Sequence, residues 1–130
     1  MELTLDVIGL VVSDMPASLA FYRRLGLALP AEADQQPHVE HTLPGGIRLC
    51  WDTEEVMGSF DPSFAKVPAG RASLGFLAGS PAVVDSTFAD MVSAGYKGHL
   101  SPWDAVWGQR YAVLHDPDGT TVDLFCPLPS

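Results

Sequence analysis

The sequence predicts an α+β fold built of two tandem βαβββ modules, and three observations carry that prediction. Apolar stretches of strand length alternate with two amphipathic helical segments. The order strand, helix, strands runs once before a polar connector bearing Pro and Gly and begins again after it. The punctuating glycines recur at matched spacing: Gly26 and Gly95, which stop the helices, lie 69 residues apart, and Gly46 and Gly119, in the hairpins, lie 73 apart. At 130 residues, one domain over 1–130 is expected, with module one at 1–55, a connector at 56–70 and module two at 71–130.

The elements follow in order. Leu5 to Val12 is rich in Leu, Val and Ile and reads as a central strand. Asp14 caps and Pro16 enters the first turn of a helix whose Ala17, Phe21 and Leu25 recur every four residues until Gly26. Strands are expected around Leu27 to Ala31, from His38 to Leu43 and from Gly46 to Thr53, the last two joined through Pro44-Gly45-Gly46. Glu54 to Gly70 reads as connector. Ala72 to Ala78 is a strand, and Ser80 and Pro81 open a second helix with Val84, Phe88, Met91 and Val92 on one stripe. Strands follow around Lys97 to Ser101, Gln109 to His115 and Thr120 to Cys126. Asp116-Pro117-Asp118-Gly119 turns between the last two, because Pro presets one turn dihedral and Gly relieves another.

Composition narrows the function classes. With 47% hydrophobic and 18% charged residues the chain is apolar enough to bury a core. Its formal charge of −9, from 7 basic against 16 acidic residues, argues against a surface that tracks nucleic-acid phosphates or docks on anionic membranes. The longest apolar run, Val7 to Val12, is far below the ~20 residues that span a bilayer. Met1-Glu2-Leu3-Thr4 lacks the basic start and apolar run of a secretory signal, so the cytoplasm is the expected compartment. Cys50 and Cys126 are too few for a disulfide framework and read as buried, reduced thiols.

Val11-Val12-Ser13-Asp14 before the first helix, Phe21-Tyr22-Arg23-Arg24-Leu25-Gly26 at its end, and Asp116 to Leu124 near the C-terminus resemble the vicinal oxygen chelate superfamily. That superfamily includes glyoxalase I, extradiol dioxygenases, fosfomycin-resistance enzymes and bleomycin-resistance proteins. The resemblance implies two modules whose mixed sheets curl around a cavity, commonly within a homodimer. Family metalloenzymes carry His, Glu or Gln on four strands, and the matching positions here are Val7, Arg48, Ser73 and Asp123. One carboxylate facing a permanently charged guanidinium does not make a divalent-cation site, so no metal or other cofactor is expected there. The four histidines show no H-x-x-x-H pair, and His38 and His41, three apart near a strand, fall on opposite faces. No G-x-S-x-G is present, and no catalytic residue is expected.

The segment Ser101 to Tyr111 holds two of the three Trp and one of the three Tyr, in a stretch read as a loop entering a strand. Large flat rings on a loop cover either a core or dimer seam or a planar ligand. Pro102-Trp103 followed by Trp107-Gly108-Gln109-Arg110 resembles the metal-free antibiotic-binding branch, the bleomycin-resistance type, and within it the mitomycin-binding proteins. The expected ligand-binding residues are Trp107, Trp103 and Tyr111 as stacking surfaces, with His38, Arg48, Asp52, Asp123 and His99 as polar contacts. Pairing of Arg48 with Asp123 is an equal alternative, Trp51 has core parity, and Arg110 anchors the loop through a carboxylate. The resulting expectation is a homodimeric protein that sequesters a planar aromatic or quinone-type antibiotic, with no nucleic-acid or membrane partner. The alternative is a lyase or isomerase of the glyoxalase or dioxygenase type acting on a small metabolite.

Overall fold

The computed structural model describes residues 4–66 and 72–130, as two compact units, Met1–Val67 and Pro68–Ser130. Each unit carries one sheet, and the fold is mixed α+β.

The first unit contains β1 (Val7–Val12), α1 (Met15–Arg24), a 3-10 helix (Ala31–Gln35), β2 (His38–Thr42), β3 (Arg48–Thr53) and α2 (Glu54–Phe60). β3 is central, parallel to β1 and antiparallel to β2. Asp14 caps α1 by accepting the Ala17 amide at 3.0 Å. The buried stripe of α1 is Met15, Ser18, Leu19, Phe21 and Tyr22 rather than one through Ala17 and Leu25, because the helix turns its Tyr22 face onto Trp51 of β3. Tyr22 meets Trp51 edge-on at 5.6 Å, and both are fully buried, as the core parity of Trp51 predicts.

Two expectations fail here. Leu27 to Ala31 is not a strand. The carbonyls of Leu29 and Pro30, which a ladder would need, are both taken by the Arg23 guanidinium at 2.7 Å, and Pro30 has no N–H to offer. Arg23 also holds Asp34 at 2.8 Å, which fixes the 3-10 turn beneath it. Nor is the connector wholly irregular, since Thr53 accepts the Val56 amide at 3.1 Å and starts α2. Residues 67–71 of the expected connector lie outside the described residues.

The second unit contains β4 (Ser73–Leu77), α3 (Pro81–Ser93), β5 (Lys97–Ala105), β6 (Gln109–His115) and β7 (Thr121–Pro127), with sheet order β4-β7-β6-β5. β4 is parallel to β7 and the other pairs are antiparallel. The first sheet, β1-β3-β2, matches this arrangement without its outermost strand, which is where Leu27 to Ala31 would have paired. Alternate residues Val122, Leu124 and Cys126 of β7 are buried, with Ala112 and Leu114 of β6 and Val84 and Met91 of α3. Of the stripe expected on α3, Val92 stays 44% exposed. Asp116 is buried, and its carboxylate accepts the amides of Asp118 at 2.9 Å and Thr120 at 2.8 Å, so the Asp-Pro-Asp-Gly motif is a turn device. Gly119 takes φ 86°, a conformation that side chains resist.

β5 runs four residues beyond the expected end and takes in Trp103, so the loop reduces to a tight turn around Gly108, which has φ 90°. The strand passes Pro102 because the register slips between Leu100 and Trp103, and that irregularity needs no amide from the proline.

Candidate functional site

The expected residues fall into two groups, one on each unit. In the second unit, strand register builds a row of rings: Tyr111 on β6 lies opposite Trp103 on β5 and Phe125 on β7. Trp103 meets Tyr111 edge-on at 5.5 Å, and Phe125 lies nearly parallel to it at 6.5 Å. Trp107 reaches over from the turn, 5.2 Å from Tyr111 and 6.0 Å from Trp103, both edge-on. Its indole N–H donates to Gln109 at 2.9 Å, which fixes the ring, yet the residue is 57% exposed. Large rings held in place with a face to solvent suit a planar, apolar ligand.

Under this row, the Tyr111 hydroxyl donates to Asp123 on β7. Burial and then the Asp123 carboxylate push the Tyr111 pKa up to about 12, so the phenol stays neutral and donates. The second Asp123 oxygen is buried and has no hydrogen-bond partner among the described residues, which leaves one acceptor beside the rings. Arg110 binds Asp85 of α3 at 2.8 Å and Asp104 at 3.1 Å, tying the hairpin to the helix. His99 is not part of this group. It stacks on His115 at 4.4 Å, at the end of β6 four residues from Tyr111, or about 13 Å along the strand.

In the first unit, β2 and β3 bring His38 opposite Asp52 and Glu40 opposite Cys50 on one face. The His38 ring contacts Asp52 through Nδ1 at 2.6 Å and Glu40 through Nε2 at 2.8 Å. Arg48 donates to Glu40 at 2.7 Å and to Asp6 at 2.6 Å. Hydrogen bonds from Glu40 and Asp52 raise the His38 pKa, and His38 and then Arg48 lower that of Glu40. Burial raises that of Cys50. Within its own unit Arg48 is engaged by Asp6 and Glu40, and within the other unit Asp123 is engaged by Tyr111.

Sequence reasoning passed over Glu40, Asp6, Phe125 and Gln109. For Glu40 and Phe125 the available signal was strand parity, which puts Glu40 on the His38 face and Phe125 on the Asp123 face. Nothing local ties Asp6 to Arg48, 42 residues on. The positions at which the superfamily's enzymes hold a metal do not fit one here. Val7 has no donor atom, Arg48 is a cation already engaged by two carboxylates, and the Asp123 carboxylate is bonded to a phenol. A groove of about 560 Å³ in the first unit, bordered by Asp14, Pro37 and Val56, contains none of the expected residues. Among the described residues no helix is long and apolar enough to cross a membrane.

The model of the Glyoxalase/Bleomycin resistance protein/Dioxygenase superfamily matches residues 4–124 of the chain. Among solved structures, a glyoxalase/bleomycin resistance protein/dioxygenase family enzyme from Burkholderia phytofirmans PsJN is similar with a TM-score of 0.82 at 18% identity, over 95% of this chain and 98% of that one. A glyoxalase-related enzyme from Fulvimarina pelagi gives 0.79 at 19% identity, over 97% and 88%. A protein from Agrobacterium tumefaciens solved by solution NMR gives 0.76 at 25% identity, over 98% and 99%. No curated protein matches the chain.

Proposed function

Because the chain belongs to the glyoxalase/bleomycin resistance protein/dioxygenase superfamily, we propose that it binds a planar aromatic or quinone-type compound of the mitomycin or bleomycin kind and protects the cell by holding it. The observation that carries this reading is the row of Trp103, Tyr111 and Phe125 with Trp107 poised over it, 57% exposed and fixed by Gln109. The ligand stacks on the Trp107 and Trp103 rings, and a donor group on it that reaches below them meets the buried, unpartnered oxygen of Asp123. No bond in the ligand breaks. The proposal includes a homodimer with the ligand in a groove at the interface, in the cytoplasm.

The test is titration of the purified protein with planar quinone and cationic heteroaromatic antibiotics, followed by tryptophan fluorescence, together with survival of cells with and without the protein. Saturable quenching at micromolar ligand with improved survival supports the reading. Absence of quenching across the panel overturns it.

A second reading, a lyase or isomerase acting on a small metabolite, draws on the same Asp123 oxygen as a general base. It requires ligand turnover that Asp123→Asn abolishes, whereas sequestration returns the ligand unchanged.

A further inference from the structure

We propose that His38, Glu40 and Cys50 form a binding site for a borderline divalent cation of the zinc class, built on the β2/β3 ladder of the first unit. Their donor atoms all lie within 4.8 Å of one another. Four ligands around such an ion at about 2.0–2.3 Å stand roughly 3.3–3.8 Å apart, so closing the site takes rotamer adjustments of about an ångström. His38 and Glu40 are two apart on one strand, and Cys50 is directly opposite Glu40, so the pleat puts all three on one face.

The surrounding contacts are those a metal site needs. Asp52 holds the His38 Nδ1 at 2.6 Å, which leaves Nε2 on the Glu40 side, in the manner of a carboxylate–histidine–metal relay. Arg48 engages only Oε1 of Glu40, at 2.7 Å, and leaves Oε2 on the His38 side. Arg48 does not reverse the local charge. Asp6, Glu40 and Asp52 stand against that single guanidinium, a net of two negative charges before the Cys50 thiol ionises. Nitrogen, carboxylate and thiolate together select an ion such as Zn²⁺ or Co²⁺ over Mg²⁺ or Ca²⁺. On binding, the Cys50 thiol proton and any proton on His38 Nε2 pass to solvent, and water takes the fourth position.

The site is distinct in sequence from the superfamily's metal positions and uses residues of one unit only. Its test is independent of the drug-binding reading. The full chain, stripped with a chelator and kept reduced, is titrated with Co²⁺ alone and followed by absorption. The expected result is one equivalent bound, with a thiolate-to-cobalt charge-transfer band in the wild type and in Cys126→Ser. The band disappears in Cys50→Ser, and affinity falls more than tenfold in the exposed-site variants His38→Gln and Glu40→Gln. Circular dichroism of each variant reports folding, and the Glu40 substitution at the surface keeps the test open if Cys50→Ser does not fold. No band in the wild type, a band lost in Cys126→Ser, or unchanged affinity in both surface variants overturns the proposal.

Discussion

Truncation of Trp107 isolates the stacking contribution, because this ring is held without being part of a core. A tryptophan carries about 150–250 Å² of buriable surface. At 57% exposure roughly 110 Å² of that remains open for a ligand to cover. If a planar compound covers one face, about half of this, burial at ~25 cal/mol per Å² gives roughly 1.4 kcal/mol. Ring-on-ring geometry adds ~0.5–1.5 kcal/mol. Trp107→Ala is therefore expected to cost about 2–3 kcal/mol of binding, a loss of roughly 30- to 150-fold. Calorimetric titration is the suitable assay, since the substitution removes a fluorophore. Val106, fully exposed in the same turn, provides the control: Val106→Ser should leave affinity and folding unchanged. A folded Trp107→Ala protein with wild-type affinity would refute the stacking argument and move the ligand away from this row.

The fully buried Trp51, packed on Tyr22, should behave in the opposite way: Trp51→Ala is expected to destabilise the fold by about 3–5 kcal/mol in urea unfolding, while Trp51→Phe costs much less because it also removes a buried indole N–H that lacks a partner. Tyr111 contributes stability that is whole below its ordinary pKa of 10.0 and lost as pH rises through about 12, so Tyr111→Phe should remove a step from alkaline unfolding in that window. Burial, then the charges of His99 and Lys97, lower the His115 pKa below 6.5. Its contribution is therefore whole above pH 6.5 and lost as pH falls through the folded value. An NMR titration should find the His115 midpoint under 6.5, moved part of the way back by His99→Gln; a midpoint at or above 6.5 would contradict the packing described.

Local chemistry was legible along the chain. Asp14 and Ser80 announce helix starts because their side-chain oxygens satisfy amides three residues on, and both do so here. Asp116 to Gly119 forms its turn for reasons contained in those residues. Trp103, Trp107 and Tyr111 could be grouped from sequence because a tight hairpin keeps neighbours in the chain neighbours in space. Leu27 to Ala31 looked like a strand only while Arg23 was ignored, and its claim on two carbonyls six and seven residues on is a side-chain choice that no periodicity records.

The sequence by itself determined the order of elements outside Leu27 to Ala31 and the α2 helix, the caps and turns, and which rings would cluster, since each depends on residues a few positions apart. The tertiary structure decided what depends on register. It set Glu40 opposite Cys50 and His38 opposite Asp52, brought Asp6 to Arg48, and placed Phe125 and Asp123 beside Tyr111. Those pairings are fixed by how far one strand slides along another. A slip of one residue would turn every one of these side chains to the opposite face, and burial of Trp51, Leu49 and Val39 on the other side of the first sheet holds that register in place.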